Sequence, residues 1–159
     1  MHAPPSRGLP GKSAAMPLVT ATTLLPVPAR HVWPLVRWDG AVGEWYPGAV
    51  SMTVDGTEKG ALRRLRLYDG SPVVHRLEHV SRVDDAYTYA VIEGPYPVVD
   101  LLAQIRLRAD GEGQAVLHWT ATFHPYASHP QEGTEAEAER FVRDLYDAGM
   151  ARLRNLLHP

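Results

Sequence analysis

The sequence predicts an α+β domain in which a curved antiparallel sheet of seven strands wraps one long C-terminal helix. Three observations carry this. Residues 49–125 hold six consecutive runs with a side-chain period of two, joined by links too short for a parallel crossover. A further run rich in β-branched residues lies near the N-terminus, at 17–27. Residues 134–157 have a helical period and an apolar stripe, long enough to cover the one face that such a sheet must bury.

The elements follow in order. "PLVTATTLLPV" (17–27) alternates weakly and reads as the first strand. "PARHVWPLVRW" (28–38) opens with proline at a helix-starting position and sets Val32, Leu35 and Val36 at helical spacing; Pro34 falls early enough to be tolerated. "GAVGEWYPG" (40–48) reads as a second short helix, ended by Pro47-Gly48. The six strands are 49–56, 60–70, 72–82, 86–94, 98–111 and 114–125, with Asp-Gly and other turn signals between them. In the last helix Thr134 and Glu137 form a capping box, acids crowd the first turn and arginines the last. Its stripe is Ala138, Phe141, Val142, Leu145, Gly149, Leu153 and Leu156. A glycine there costs about 1 kcal/mol against alanine. The dent it leaves predicts a cavity between helix and sheet.

A chain of 159 residues with a formal charge of −2 predicts one domain with one sizeable core, over residues 17–159. The first 16 residues, rich in Pro, Gly and Ser, read as a flexible leader with Met16 as a candidate start; no apolar segment makes them a secretory signal. No basic block argues for nucleic acid, and no apolar run approaches the ~20 residues of a membrane span. Cysteine is absent, which excludes disulfides, a thiolate nucleophile and a cysteine zinc site, and fits a reducing cytoplasm. "GLPGKS" lacks the spacing and the preceding strand of a phosphate loop.

The segments "VWPLVRWDG", "EWYPG", "GALRRLRLYDG", "EGPYPVVD" and "LHWTATFHP", in that order across residues 18–157, resemble the START/pollen-allergen-like helix-grip (SRPBCC) superfamily. Within it they are similar to the polyketide cyclase/dehydrase-like family. The resemblance implies a deep, mostly apolar pocket for a hydrophobic small molecule, lipid, polyketide or aromatic intermediate. It implies a cofactor- and metal-independent cyclase or dehydratase of secondary metabolism, with a non-catalytic binding or carrier protein as the rival reading and a partner-binding regulator as a third. A homodimer is open to such a domain. "EGPYP" corresponds to the stiff link between two central strands, with Glu93 near the cavity mouth. This chain carries His75 where many relatives have glutamate, and Tyr46 where many have histidine.

Alternation assigns inward faces to Arg63, Leu65 and Leu67; to His75, Leu77 and His79; and to Tyr87, Tyr89, Val91 and Glu93. Val99, Leu101, Ala103, Ile105 and Leu107 share another inward face, as do Leu117, Trp119, Ala121 and Phe123. Polar groups embedded in such faces need partners. Arg63 with Glu93, His75 with either, and bridging tyrosines would satisfy them, either as a core network that fixes register or as catalytic machinery. In the catalytic reading His75 is general acid or base, Glu93 orients it, and Tyr89 or Arg63 stabilises an enolate oxygen. The pocket wall is then Leu65, Leu77, Tyr87, Val91, Leu101 and Trp119 from the sheet. Trp38, Trp45 and Tyr46 come from the short helices, and Tyr146 and Gly149 from the long one. His75 and His79 lack a third metal ligand, and His124 and His129 read as surface loop residues.

Overall fold

The computed structural model describes residues 16–126 and 134–158. Residues 1–15 of the proposed leader and His129 lie outside them, as does the side chain of Thr134 and with it the capping box. The strands are β1 (Leu18–Leu25), β2 (Ala49–Val54), β3 (Leu62–Leu67), β4 (Pro72–Val80), β5 (Asp85–Glu93), β6 (Val98–Ala109) and β7 (Ala115–Pro125). Helix α1 (Ala29–Val36) follows β1, and α2 (Thr134–Leu157) closes the fold. The expected second short helix is one 3-10 turn, Val42–Glu44, pinned by the Trp45 indole N–H donating to Leu35 O at 2.8 Å.

The sheet is antiparallel in the order β1-β7-β6-β5-β4-β3-β2. Short links let β2 through β7 pair as a meander, and the two edge strands are joined through α1 and the 3-10 turn. Helix α2 lies over β1 and β7, burying Ala138, Val142, Tyr146, Met150 and Leu153, while Arg154 donates to Thr23 Oγ1 at 2.9 Å. Leu156, expected on the stripe, is exposed; Leu157 packs against the core in its place.

Register shifts break the simple alternation, one of them between Val74 and His75, where Glu93 stands opposite Val74. A bulge between Leu77 and His79 sets His79 opposite Thr88, so His79 is exposed instead of inward. A register shift between Val99 and Leu102, where Asp100 takes a left-handed φ of 55°, leaves Val99 39% exposed. His124 lies in β7 opposite Val99 and is half-buried, not in a loop.

The space beside Gly149 is filled. A Cβ there would stand 2.8 Å from Cζ3 of Trp119. Trp119 stacks on Tyr146 with centroids 3.7 Å apart and 9° between planes, and Trp45 meets it edge-on at 5.4 Å. Gly149 is therefore the seat of an indole and not the wall of a cavity, because the aromatic ring from β7 takes the volume that the helix leaves free.

Candidate functional site

β3, β4 and β5 bring Arg63, His75, Tyr87 and Tyr89 together on the inner face. Arg63 and His75 are 1% and 0% exposed, charged or polar groups in the middle of an apolar core. Register explains the meeting: Arg63 pairs with His75 across β3 and β4, and His75 with Val91 across β4 and β5. The guanidinium spreads over three rings, 4.5 Å from Trp38, 5.1 Å from Tyr89 and 5.5 Å from Tyr87. Its Nη1 donates to Trp38 O at 3.0 Å and Tyr87 Oη at 3.1 Å, and the Tyr87 hydroxyl in turn donates to Val36 O at 2.7 Å.

Arg63 Nε and Nη2 both approach His75 Nδ1, at 3.2 and 3.0 Å. A guanidinium only donates, so Nδ1 is an acceptor and the neutral ring carries its proton on Nε2. Burial, with the Arg63 charge added, holds the His75 pKa well below its usual range, so the ring is neutral at physiological pH. His75 has no free lone pair with which to act as a general base; it presents an N–H. That Nε2–H, fully buried, has no hydrogen-bond partner among the described residues, and neither has the Tyr146 hydroxyl.

Glu93 does not orient His75. It is exposed at the end of β5, and the imidazole takes its orientation from Arg63 and from Tyr89, whose ring lies 4.4 Å away. Around this centre the Trp119 indole donates to Tyr89 Oη at 2.9 Å, and the hydroxyls of Tyr46 and Tyr96 meet at 2.6 Å. Burial pushes the pKa of Tyr46, Tyr87, Tyr89 and Tyr146 upward and that of Tyr96 to about 12, so all five are neutral hydrogen-bonding groups.

Open space lies where β5 and β6 part. Their pairing stops at Ala90 and Leu102, and beyond it a slit of about 710 Å³ opens. Ala90, Ile92, Arg76 and Leu102 line it from the face away from α2; Val91, Leu101 and Tyr96 belong to the inner side. Glu93 and Asp100 stand on its rim. The Gly94-Pro95-Tyr96-Pro97 link spans the gap and drives the Tyr96 ring inward, 5.3 Å from Phe141 of α2. Of the expected pocket wall, Val91 and Leu101 line the slit, while Leu65, Leu77, Tyr87, Trp38, Trp45, Tyr46, Trp119 and Tyr146 are buried in the core behind it. Tyr96 was not foreseen. An aromatic held between two prolines in a short link was its signal.

The geometry thus sets a close-packed cluster of aromatic and donor side chains in the core, and beside it a slit of mixed polar and apolar lining. A profile of the family described as polyketide cyclase/dehydrase and lipid transport matches residues 16–158. The chain belongs to that family. No curated protein sequence matches it significantly. Among solved structures, an uncharacterized protein from Bacillus thuringiensis is similar at 26% identity and a TM-score of 0.75, covering 89% of this chain and 98% of its own. The Zhui aromatase/cyclase from Streptomyces sp. R1128 shares the fold at 17% identity and a TM-score of 0.68, over 90% and 92% of the two chains. Norcoclaurine synthase from Thalictrum flavum, in complex with dopamine and hydroxybenzaldehyde, does so at 16% identity and 0.66, over 89% and 86%. The seven-stranded grip around a long helix is the family's helix-grip fold. Among the described residues no group of ligating side chains could hold a metal ion, and no helix is long and apolar enough to cross a membrane.

Proposed function

We propose that the protein binds an oxygenated hydrophobic small molecule of polyketide or aromatic type and promotes its cyclisation or dehydration by polarising a carbonyl. The observation that carries this is the fully buried, partnerless Nε2–H of His75, backed by Arg63 and surrounded by aromatic walls. A buried donor left unsatisfied costs about 1–3 kcal/mol, which a ligand oxygen would recover. The apolar part of the ligand occupies the slit, and the Tyr46–Tyr96 hydroxyl pair parts to admit its oxygen.

In an intramolecular aldol closure, Glu93 on the rim takes an α-proton and leaves an enolate. The enolate carbon attacks a second carbonyl held by His75 Nε2–H, forming the carbon–carbon bond. The resulting alkoxide takes a proton from water and the Glu93 carboxyl returns its own to water, so that protons balance, and loss of water completes the dehydration. His75 serves throughout as a donor, as a neutral imidazole does when it polarises a carbonyl. A carrier without turnover is the second reading, favoured by the distance of any carboxylate from the buried centre: Glu93 is exposed and His75 meets only Arg63.

The test is closure of linear aryl β-diketone surrogates, followed by product formation, alongside their binding by calorimetry. A donor role predicts that His75→Phe loses turnover about a hundredfold, within the range for a lost oxyanion-type donor, while His75→Gln retains a substantial part. Tight binding with no product in the wild type leaves the carrier reading. Equal activity in wild type and His75→Phe contradicts the proposed role.

A further inference from the structure

We propose that the buried end of the site favours an anionic ligand oxygen over a neutral one, the alkoxide of the closing step or a phenolate or carboxylate, held on His75 Nε2–H with Arg63 as the positioning residue behind it. The inference rests on the hydrophobic-site reading above and names the charge class of its ligand.

Charge bookkeeping around Arg63 carries it. Of the groups that its guanidinium meets, Nδ1 of His75, the Trp38 carbonyl and the Tyr87 hydroxyl are all neutral. Among the described residues no carboxylate lies within salt-bridge distance of it; the ion pairs that form are Arg37–Asp39, Arg64–Asp55, Arg76–Glu78, Arg106–Asp84 and Arg143–Glu139. The aromatic faces of Trp38, Tyr87 and Tyr89 offset part of the burial cost of the cation but supply no net negative charge. Asp39, whose field reaches Tyr87, is half-exposed and tied to Arg37 at 3.3 Å.

The groups that face this centre from each packed element are neutral. They are Tyr46 after the 3-10 turn, His75 on β4, Tyr87 and Tyr89 on β5, Tyr96 on the link, Trp119 on β7 and Tyr146 on α2. A positive charge in a low-dielectric core with no counter-ion favours any anion that comes near it. The second observation fixes where that anion sits. Arg63 donates into the only lone pair of the imidazole, which draws electron density from the ring and strengthens its opposite N–H as a donor. That N–H and the Tyr146 hydroxyl are the two partnerless buried groups among the described residues. An oxygen anion would satisfy the first and compensate Arg63 through it. An ammonium group would meet a donor and a like charge, so amines are excluded from this end.

The experiment uses 4-nitrophenol, whose phenolate absorbs in the visible, with 4-nitroanisole as a neutral analogue and 4-nitrobenzylamine as a cation. In wild-type protein the bound phenol should ionise at a pH about one unit lower than free phenol, meaning that the phenolate binds about tenfold tighter than the phenol. The amine should bind more weakly than the anisole. Arg63→Met and His75→Phe should each return the ionisation of bound phenol toward that in water, and His75→Gln, which retains an acceptor for Arg63 and a donor for the ligand, should restore part of the shift. A merely structural Arg63 would alter stability without moving the ionisation of the probe. The wild-type measurement decides the question even if Arg63→Met fails to fold. Bound 4-nitroanisole together with an unshifted or raised phenol ionisation overturns the anion inference alone. A protein that takes up none of the three probes overturns the hydrophobic-site reading and this inference with it.

Discussion

Gly149 offers a test of the packing in which the site is built. In Gly149→Ala the new Cβ stands 2.8 Å from Trp119 Cζ3 and 3.5 Å from Pro47 Cδ. Carbons rest at about 3.5–4.0 Å, so roughly 0.7 Å has to be found on the Trp119 side. The indole has little freedom to yield, being stacked on Tyr146 at 3.7 Å, crossed by Trp45 at 5.4 Å and hydrogen-bonded to Tyr89 at 2.9 Å. Overpacking of this kind costs about 1–3 kcal/mol, against a gain of about 1 kcal/mol in helix propensity. The net expectation is a loss of about 1 kcal/mol for alanine and of about 3 kcal/mol or more for Gly149→Leu, which adds three further carbons at the same spot. Urea unfolding followed by tryptophan fluorescence gives both values, with an unchanged m-value as the sign that only stability moved. A Gly149→Leu protein with an unchanged or higher midpoint would refute the reasoning and restore the open dent expected from sequence.

Two further outcomes follow from the buried centre. His75 is held neutral in the fold with its pKa lowered, so the unfolded chain binds the extra proton first as pH falls; stability should therefore decline below about pH 6.5, at up to about 1.4 kcal/mol per unit from this group, and His75→Gln should remove that component from a series of urea melts at different pH. Tyr96→Phe deletes the hydroxyl pair with Tyr46 and should cost about 0.5–1.5 kcal/mol while speeding uptake of 4-nitroanisole in stopped-flow; unchanged uptake kinetics would show that Tyr96 does not guard access to the buried cluster.

The sheet was legible because period-two runs with Asp-Gly links leave few alternatives, and Gly70 and Gly111 take the positive φ, 92° and 79°, that those turns require. The inward placement of Arg63, His75, Tyr87 and Tyr89 follows from the same alternation. What escaped was whatever breaks the period. The bulge before His79 turned that histidine outward, and a second shift in the same ladder, which sets Glu93 opposite Val74, left Glu93 exposed at the end of β5. Which carboxylate meets which cation depends on such local shifts, so Arg63 was assigned a Glu93 partner and instead donates to a histidine. Glycine at 149 signals vacant volume in one dimension only. Whether that volume is a cavity or the seat of an indole from a strand distant in sequence is settled by tertiary packing. The opening made by "EGPYPVVD" is likewise tertiary: the two prolines stiffen the link, but that β5–β6 pairing ends at Ala90 and Leu102, with β6 bulged against β7 at Asp100, is set by the sheet.

The central claim is that His75 is a neutral Nε2–H donor aimed at a ligand oxygen. Nitrogen-15 NMR of histidine-labelled protein reads tautomer and charge directly. The account predicts a fully buried imidazole with the proton on Nε2, unmoved as pH falls through the region near 6.5 where a free histidine titrates, and an Nε2–H resonance that shifts downfield when 4-nitrophenolate is added. A His75 ring that titrates near pH 6.5, or one that carries its proton on Nδ1, would contradict it.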